Sequence, residues 1–230
     1  DNSVLTHVYK NLIPYKLEKH EVQRNLDLIG FEYDDKNWRI IPEIKSDEQN
    51  VEKVRLFINQ NDLVNGFIAI APGSVWNTKK YPSDYFEVII KHFVDRKISI
   101  VLIGGENDKS ICEIIVSKFN DYVFNAAGIF SIVESIELLK STKLLLSNDS
   151  APTHMGMCAD TKVLTIYCST VPDFGFYPYN SKSSSISFND LKCKPCGIHG
   201  YEACPINTFE CAMKLLPDQI ILKAEEMLRD

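Results

Sequence analysis

Ser147-Asn148-Asp149-Ser150-Ala151-Pro152-Thr153-His154 follows an apolar run at 143–147 and opens a helical pattern at 151–158. An earlier stretch has the same build. Ala71-Pro72-Gly73-Ser74-Val75-Trp76-Asn77-Thr78-Lys79-Lys80-Tyr81-Pro82 follows the apolar run 67–71 and precedes a helical pattern at 83–96. A short buried strand, a polar turn and a helix make one βα unit, and repeated βα units build a parallel sheet covered by helices on both faces. Right-handed crossovers then bring every turn that follows a strand to one end of the sheet, where such folds bind ligands.

The surrounding sequence continues the alternation. Strands are predicted at 98–103, 122–125, 163–167 and 184–188, and helices at 108–119, 131–140 and 217–228. Ser83 is a candidate N-cap, Ser131 with Glu134 has the spacing of a capping box, and Pro217 suits a helix start. The turns at 72–82, 104–108, 126–130, 148–154 and 168–180 are therefore expected to share one rim. Residues 1–65 lack this rhythm. They read as a helical linker, with a helix over much of 5–29, an extended piece at 38–44 and an amphipathic helix at 47–59 carrying Val51, Val54, Leu56 and Ile58. The first residue is Asp1, which fits a fragment or a processed product.

The chemistry of the turns points to a phosphorylated ligand. Gly73 lets backbone approach an anion, and Ser74, Thr78, Lys79 and Lys80 supply hydroxyls and ammonium groups. The glycine-to-lysine spacing is not that of a P-loop, and a loop of solvated lysines is the plainer alternative. At the second turn, Ser150 and Ala151 begin a helix whose free N–H groups favour phosphate, while Asp149 can bind sugar hydroxyls and His154 lies on the same turn. Simple capping is the plainer alternative there. Gly104-Gly105-Glu106-Asn107-Asp108 ends another strand, where Glu106 or Asp108 is placed to accept hydrogen bonds from a ribose, or only to cap the turn.

With 25 basic and 31 acidic residues the net charge is −6, and no basic stripe is visible, which argues against a nucleic-acid partner. No apolar run is long enough to cross a bilayer and no secretory signal is visible, so the expected location is cytoplasmic. Of seven cysteines, Cys112, Cys158 and Cys168 read as core thiols. Cys193, Cys196, Cys204 and Cys211 form a separate group with two, seven and six intervening residues. Cys193-Lys194-Pro195-Cys196-Gly197 has the form of half a zinc knuckle. The second pair is too widely spaced for a standard ribbon, so metal, disulfide or redox pairing, and plain thiols stand side by side, with His199 a spare ligand.

Taken in order, Ala71-Pro72-Gly73-Ser74 with Lys79-Lys80-Tyr81-Pro82, Leu102-Ile103-Gly104-Gly105-Glu106, the 147–154 turn, Ser169-Thr170-Val171-Pro172 and the 193–211 segment resemble the C-terminal half of glycosyltransferase family 9, the lipopolysaccharide heptosyltransferases, most closely their heptosyltransferase II branch. The resemblance runs from about residue 66 to the end. It implies a GT-B fold, of which residues 66–230 are the Rossmann-like donor-binding domain, 1–65 the interdomain connection, and the N-terminal acceptor domain absent. It further implies an ADP-heptose-type donor, no obligatory metal cofactor, a lipopolysaccharide core acceptor held by the absent domain, and work at the cytoplasmic face of the inner membrane.

By the same resemblance Lys79 binds the diphosphate with help from Gly73, Ser74 and Thr78. Asp149 holds the donor sugar, Ser150 and Ala151 cradle phosphate, His154 supports that loop, and Glu106 or Asp108 reaches the adenosine. The general base belongs to the absent domain, so this chain alone is expected to turn over little. Two residues depart from the family pattern: Tyr81 stands where tryptophan is usual and Ala151 where glycine is common. They leave open another nucleotide sugar, or a non-catalytic nucleotide-sugar-binding module.

Overall fold

The five residues Phe67–Ala71 (β1) are completely buried, and every other strand is placed relative to them. The computed structural model describes residues 12–119 and 121–229. Six parallel strands form one sheet in the order β3-β2-β1-β4-β5-β6, with β2 at Ile100–Leu102, β3 at Val123–Asn125, β4 at Thr142–Asn148, β5 at Val163–Tyr167 and β6 at Ser184–Ser187. This is the strand order of doubly wound dinucleotide-binding sheets, with the topological switch between β1 and β4. The parallel α/β fold expected from the sequence is therefore present.

The helices are α1 (Glu21–Leu28), α2 (Glu48–Gln60), α3 (Ser83–Val94), α4 (Lys109–Val116), α5 (Ile132–Leu139), α6 (Ala151–Cys158), α7 (Glu210–Met213) and α8 (Pro217–Arg229). Alternate residues of β1 divide the core. Ile68 and Ile70 pack with Phe86, Ile89 and Phe93 of α3, Cys112 and Ile115 of α4, and Ile220 and Ala224 of α8. Phe67, Ala69 and Ala71 face the other way, with Leu138 and Leu139 of α5 and Met157 of α6. Leu26, Trp38, Val54 and Leu63 join this second core, so residues 12–65 pack against one face of the sheet.

Local chemistry explains the element ends. Ser131 and Glu134 form the expected capping box on α5. Asp47 caps α2, accepting from the Asn50 N–H at 2.8 Å. Pro82, not Ser83, is the N-cap of α3, and no side chain caps that helix. The helix expected over 5–29 is limited to α1 among the described residues, its part at 5–11 lying outside them. Its start is set by His20, whose Nδ1 accepts the Val22 N–H at 3.1 Å while Gln23 Oε1 accepts the His20 N–H at 2.9 Å. Residues 39–44 form no strand. On α2, Val54 is buried whereas Val51 and Leu56 are exposed, so the apolar face is narrower than the sequence suggests.

Candidate functional site

A cleft of about 560 Å³ opens over the carboxyl ends of β1, β2 and β4. Four of the five predicted turns line it. The first contributes Gly73, Ser74, Val75 and Lys80, the second Gly105 and Glu106, the third Phe130, and the fourth Ser150 and Ala151, with Ile103, Ile132 and Met155 added from just outside these turns. Its lining is mixed. Lys80 and Ser150 give it a polar side toward β1 and β4, Glu106 and Asp108 add carboxylates at the end of β2, and Ile103, Phe130, Ile132 and Met155 supply apolar surface.

The polar side is built around Asn148 at the end of β4. This fully buried side chain donates from Nδ2 to the carbonyls of Pro72 at 2.9 Å and Gly73 at 3.2 Å, and its Oδ1 accepts the Tyr81 N–H at 3.0 Å. One amide thus ties the β1 turn, at both of its ends, to the β4 turn. Tyr81 completes the anchor from within the core, its hydroxyl donating to the Leu215 carbonyl at 2.6 Å. The ring that departs from the family's tryptophan is therefore a buried strut.

Behind the cleft, Lys79 Nζ and Asp149 Oδ2 form an ion pair at 2.6 Å, with side chains 14% and 11% exposed. The buried Thr170 hydroxyl donates to the same Oδ2 at 2.7 Å. His154 sits on the exposed side of α6 near both charges. Displacement of water by surrounding atoms lowers its imidazole pKa, Asp149 raises it and Lys79 lowers it again. The fully buried Tyr167 hydroxyl, at the end of β5, has no hydrogen-bond partner among the described residues. Burial raises its pKa, seconded by the negative charge of Asp149.

Helix α6 begins without a side-chain cap, because the Ser150 hydroxyl turns back to the Asn148 carbonyl at 3.3 Å. Pro152 has no N–H and the Thr153 N–H donates to the Ser150 carbonyl at 3.1 Å, so the Ala151 N–H is the donor left at this helix start, where it favours an anion beside the cleft. Ala151 is exposed there, so its methyl borders the opening.

The remaining expected site residues separate into two kinds. Glu106 lines the cleft with a side chain 75% exposed. Asp108 lines the cleft as well, but its carboxylate is engaged within its own turn, accepting the Gly105 N–H at 3.0 Å. A Cβ at Gly73 would lie 2.0 Å from Asp108 Oδ1 and one at Gly104 would lie 2.6 Å from its Cβ, so both glycines make room for this carboxylate. Thr78 is buried, and its Oγ1 accepts from the Tyr201 N–H at 2.7 Å and the Ser169 hydroxyl at 3.1 Å. It joins the cysteine-bearing segment to the Lys79 turn and does not face the cleft.

That segment is held from both sides. The Cys196 N–H donates to the Ser169 carbonyl at 2.8 Å. Lys194 donates to the carbonyls of Tyr167 at 2.9 Å and Phe188 at 3.1 Å, and to the Ser187 hydroxyl. Burial lowers the Lys194 pKa. All seven thiols are free, and no group of three or more metal-ligating side chains is gathered among the described residues. Burial raises the Cys211 thiol to about 11. Cys204 is shifted downward: burial opposes the shift, but backbone N–H groups from Ile206 to Phe209 outweigh it.

Reading the sequence alone assigns no role to Asn148, Thr170, Phe130, Ile132 or Met155. Asn148 and Thr170 lie inside the quoted motifs, and their type, a buried amide and a hydroxyl at strand ends, was the available signal. The apolar surface has no local signal, since such residues look like ordinary core.

The family model for glycosyltransferase family 9 (heptosyltransferase) matches residues 3–201. Lipooligosaccharide heptosyltransferase 2 of Campylobacter jejuni is 23% identical over 235 aligned residues, covering all of this chain and 72% of its own length. Among solved structures, E. coli ADP-heptose LPS heptosyltransferase II superposes with a TM-score of 0.72 at 19% identity, covering 95% of this chain and 64% of that one. The family 9 glycosyltransferase of Veillonella parvula gives 0.77 at 19% identity, covering 95% and 62%. The chain thus spans under two thirds of these two solved relatives, and the structural likeness establishes a shared fold. The family match over most of the sequence, on a sheet whose switch point carries the expected turns, shows that this chain belongs to glycosyltransferase family 9 (heptosyltransferase).

Proposed function

We propose that this chain is the donor-binding part of an inverting glycosyltransferase that moves heptose from ADP-heptose to a lipopolysaccharide core acceptor. The observation that carries this reading is the cleft at the β1–β4 switch, with the Lys79–Asp149 pair behind it, the uncapped start of α6 at its rim, and apolar surface from Ile103, Phe130, Ile132 and Met155. A diphosphate suits the cation and the Ala151 N–H, a sugar suits Asp149, and a nucleobase suits Phe130, Ile132 and Met155. Glu106 is the carboxylate free to meet a ribose. Asp108, already committed to its own turn, shapes the floor. His154 supports the α6 turn, and Thr78 acts by fixing the Lys79 turn. The names of the relatives support the ADP-heptose donor and the lipopolysaccharide acceptor.

In the reaction so assigned, an acceptor hydroxyl oxygen attacks the anomeric carbon from the face opposite the diphosphate. Its proton passes to a base outside residues 66–230, in an acceptor-binding domain joined through residues 1–65. The bond from the anomeric carbon to the diphosphate oxygen breaks, and its electron pair stays on that oxygen. Lys79 and the Ala151 N–H at the start of α6 stabilise the growing charge, a class of contact whose loss costs on the order of 10²–10³ in rate. The enzyme works in the cytoplasm, at the inner membrane where its lipid acceptor lies. Among the described residues no helix is long and apolar enough to cross a membrane.

Calorimetric titration of the chain with ADP, ADP-heptose, UDP and UDP-glucose tests the reading. Selective binding of the adenine pair, weakened in Lys79→Ala, is expected. Preference for the uridine pair would replace the donor while keeping the site. Binding of ADP-heptose together with no transfer by the full-length protein would leave only a binding module.

A further inference from the structure

The cation expected to hold the donor diphosphate is already engaged. Lys79 Nζ lies 2.6 Å from Asp149 Oδ2, and both side chains are mostly buried. Two lysines are adjacent in this turn, and only the second lines the open cleft, with its Nζ 2.9 Å from Asn77 Oδ1. The pair is also held in place from behind. Asp149 is tethered by the Thr170 hydroxyl on the same oxygen and by its backbone N–H to the Ile166 carbonyl at 3.1 Å. Gly200 packs against Lys79, since a Cβ there would lie 3.1 Å from Lys79 Cγ.

We infer that the Lys79–Asp149 ion pair is an exchange device that favours nucleotide-sugar donor over nucleoside-diphosphate product. The inference rests on the assignment of Lys79 to the diphosphate. When the intact donor binds, Lys79 leaves Asp149 for the diphosphate, and the sugar hydroxyls replace Lys79 as partners of Asp149. Both charges stay compensated in a partly buried setting, where an unpaired carboxylate is costly. After transfer the sugar is gone. Asp149 then faces the product with no partner and with a negative diphosphate nearby. It recaptures Lys79, and the product loses its principal cation. The same carboxylate thus binds donor directly and opposes product through Lys79.

This arrangement predicts a sign that a simple sugar-binding or lysine-positioning role does not. Removing the carboxylate charge frees Lys79, so ADP should bind Asp149→Asn about threefold more tightly than the unmodified chain, a mid-range value for an ion pair of this kind. ADP-heptose should gain less or lose affinity, so the preference for ADP-heptose over ADP collapses. Thr170→Val gives the opposite sign. Without the hydroxyl, Asp149 depends more on Lys79, and ADP should bind more weakly. That variant keeps the side-chain volume and serves if Asp149→Asn fails to fold.

The experiment is titration calorimetry of the unmodified chain, Asp149→Asn, Thr170→Val and Lys79→Ala with ADP and ADP-heptose at constant ionic strength, folding being checked by thermal melting. Lys79→Ala should weaken ADP by about tenfold or more, as loss of a charged hydrogen bond does. Tighter ADP binding by Asp149→Asn, with weaker binding by Thr170→Val, supports the exchange. Unchanged or weaker ADP binding by a folded Asp149→Asn overturns it and leaves Asp149 as a positioning residue. ADP binding that ignores Lys79→Ala, or is absent from the unmodified chain, overturns the diphosphate assignment itself and the exchange with it.

Discussion

Two buried polar clusters in this molecule look alike in composition and differ in what they leave unspent. One is the rim cluster of Lys79, Asn148, Asp149, Thr170 and Tyr167. The other fixes the linker to the sheet and centres on His20 and Arg24, which are 2% and 6% exposed. Arg24 donates to the carbonyls of Lys19 at 2.5 Å, Phe174 at 2.7 Å and Lys16 at 3.3 Å, and its Nε to Glu21 at 2.7 Å. The His20 Nε2–H donates to the Tyr177 carbonyl at 2.9 Å while Nδ1 caps α1, and the ring lies between Trp38, Tyr177 and Tyr179. Here most of the donors meet backbone carbonyls, Glu21 is the one carboxylate partner, and neither His20 nor Arg24 lines the cleft. At the rim, charge meets charge beside a cleft, and a hydroxyl has no partner. A cluster that a ligand can rearrange is thereby distinguished from one whose rearrangement only costs stability.

The sharpest way to break this distinction is to damage the linker cluster and ask whether the rim notices. Arg24→Ala strands three carbonyls and Glu21 and empties the space beside Phe176. A stability loss of about 3 kcal/mol is expected by chemical denaturation, on the scale of broken buried charge networks. At a temperature where the variant is still folded, its ADP affinity should equal that of the unmodified chain. A tenfold loss of affinity would mean that the two clusters are coupled and that the linker belongs to the site.

A pH titration of stability probes the same cluster without mutation. Burial holds the His20 pKa at about 4 against an ordinary 6.5, the Tyr177 carbonyl opposing the shift. The folded form therefore binds fewer protons than the unfolded form between these values. His20 contributes stability that is fully present above pH 6.5 and lost as pH falls towards 4, about 3 kcal/mol in total. His20→Asn, which retains a capping side chain, should flatten this part of the curve. An unaltered curve would assign the acid sensitivity to carboxylates.

Asn148→Ala sharpens the comparison from the rim side. It removes three hydrogen bonds that join the β1 and β4 turns and leaves the Tyr81 N–H without its acceptor. A stability loss of about 2 kcal/mol is expected, together with loss of most ADP affinity, because the two turns need one relative position. Stability loss with intact affinity would show that the turns are held by other contacts. Glu106→Gln should leave stability unchanged and reduce ADP affinity only a few-fold, since this exposed side chain carries no buried bond.

What could be read in the sequence follows from range. The runs that became β1, α6 and β5 were legible to the residue, because each is set by its own apolar run and its bounding turn. The rim itself followed from the βα rhythm. The choice between ribose contact and capping at Glu106 and Asp108 stayed open in the sequence, because nothing local tells that Gly73, on another turn, makes room for the Asp108 oxygen. Thr78 likewise gave no sign of Tyr201 and Ser169. In the linker, Pro14 and the unusual cap His20 start the helix later than its leucine spacing suggests. Gly175 belongs to the same lesson. Its φ of +85° and the Lys19 carbonyl, 2.5 Å from where a Cβ would stand, admit only glycine, for the sake of a contact with a segment far away in sequence.

The smallest effect tests the rim's unspent group. Tyr167 is fully buried at the end of β5, and its hydroxyl has no partner among the described residues. An unsatisfied buried hydroxyl costs roughly 1–3 kcal/mol. Tyr167→Phe keeps the packing and removes that cost, so the ligand-free chain should become more stable by about 1 kcal/mol. If the hydroxyl serves the bound donor, the same substitution should weaken ADP-heptose a few-fold and leave ADP unaffected. Stabilisation with unchanged binding of both would make Tyr167 a packing residue and confine the functional cluster to Lys79, Asp149 and Thr170. Destabilisation would mean that a water already satisfies the hydroxyl, and the rim would then be as fully paired as the linker cluster.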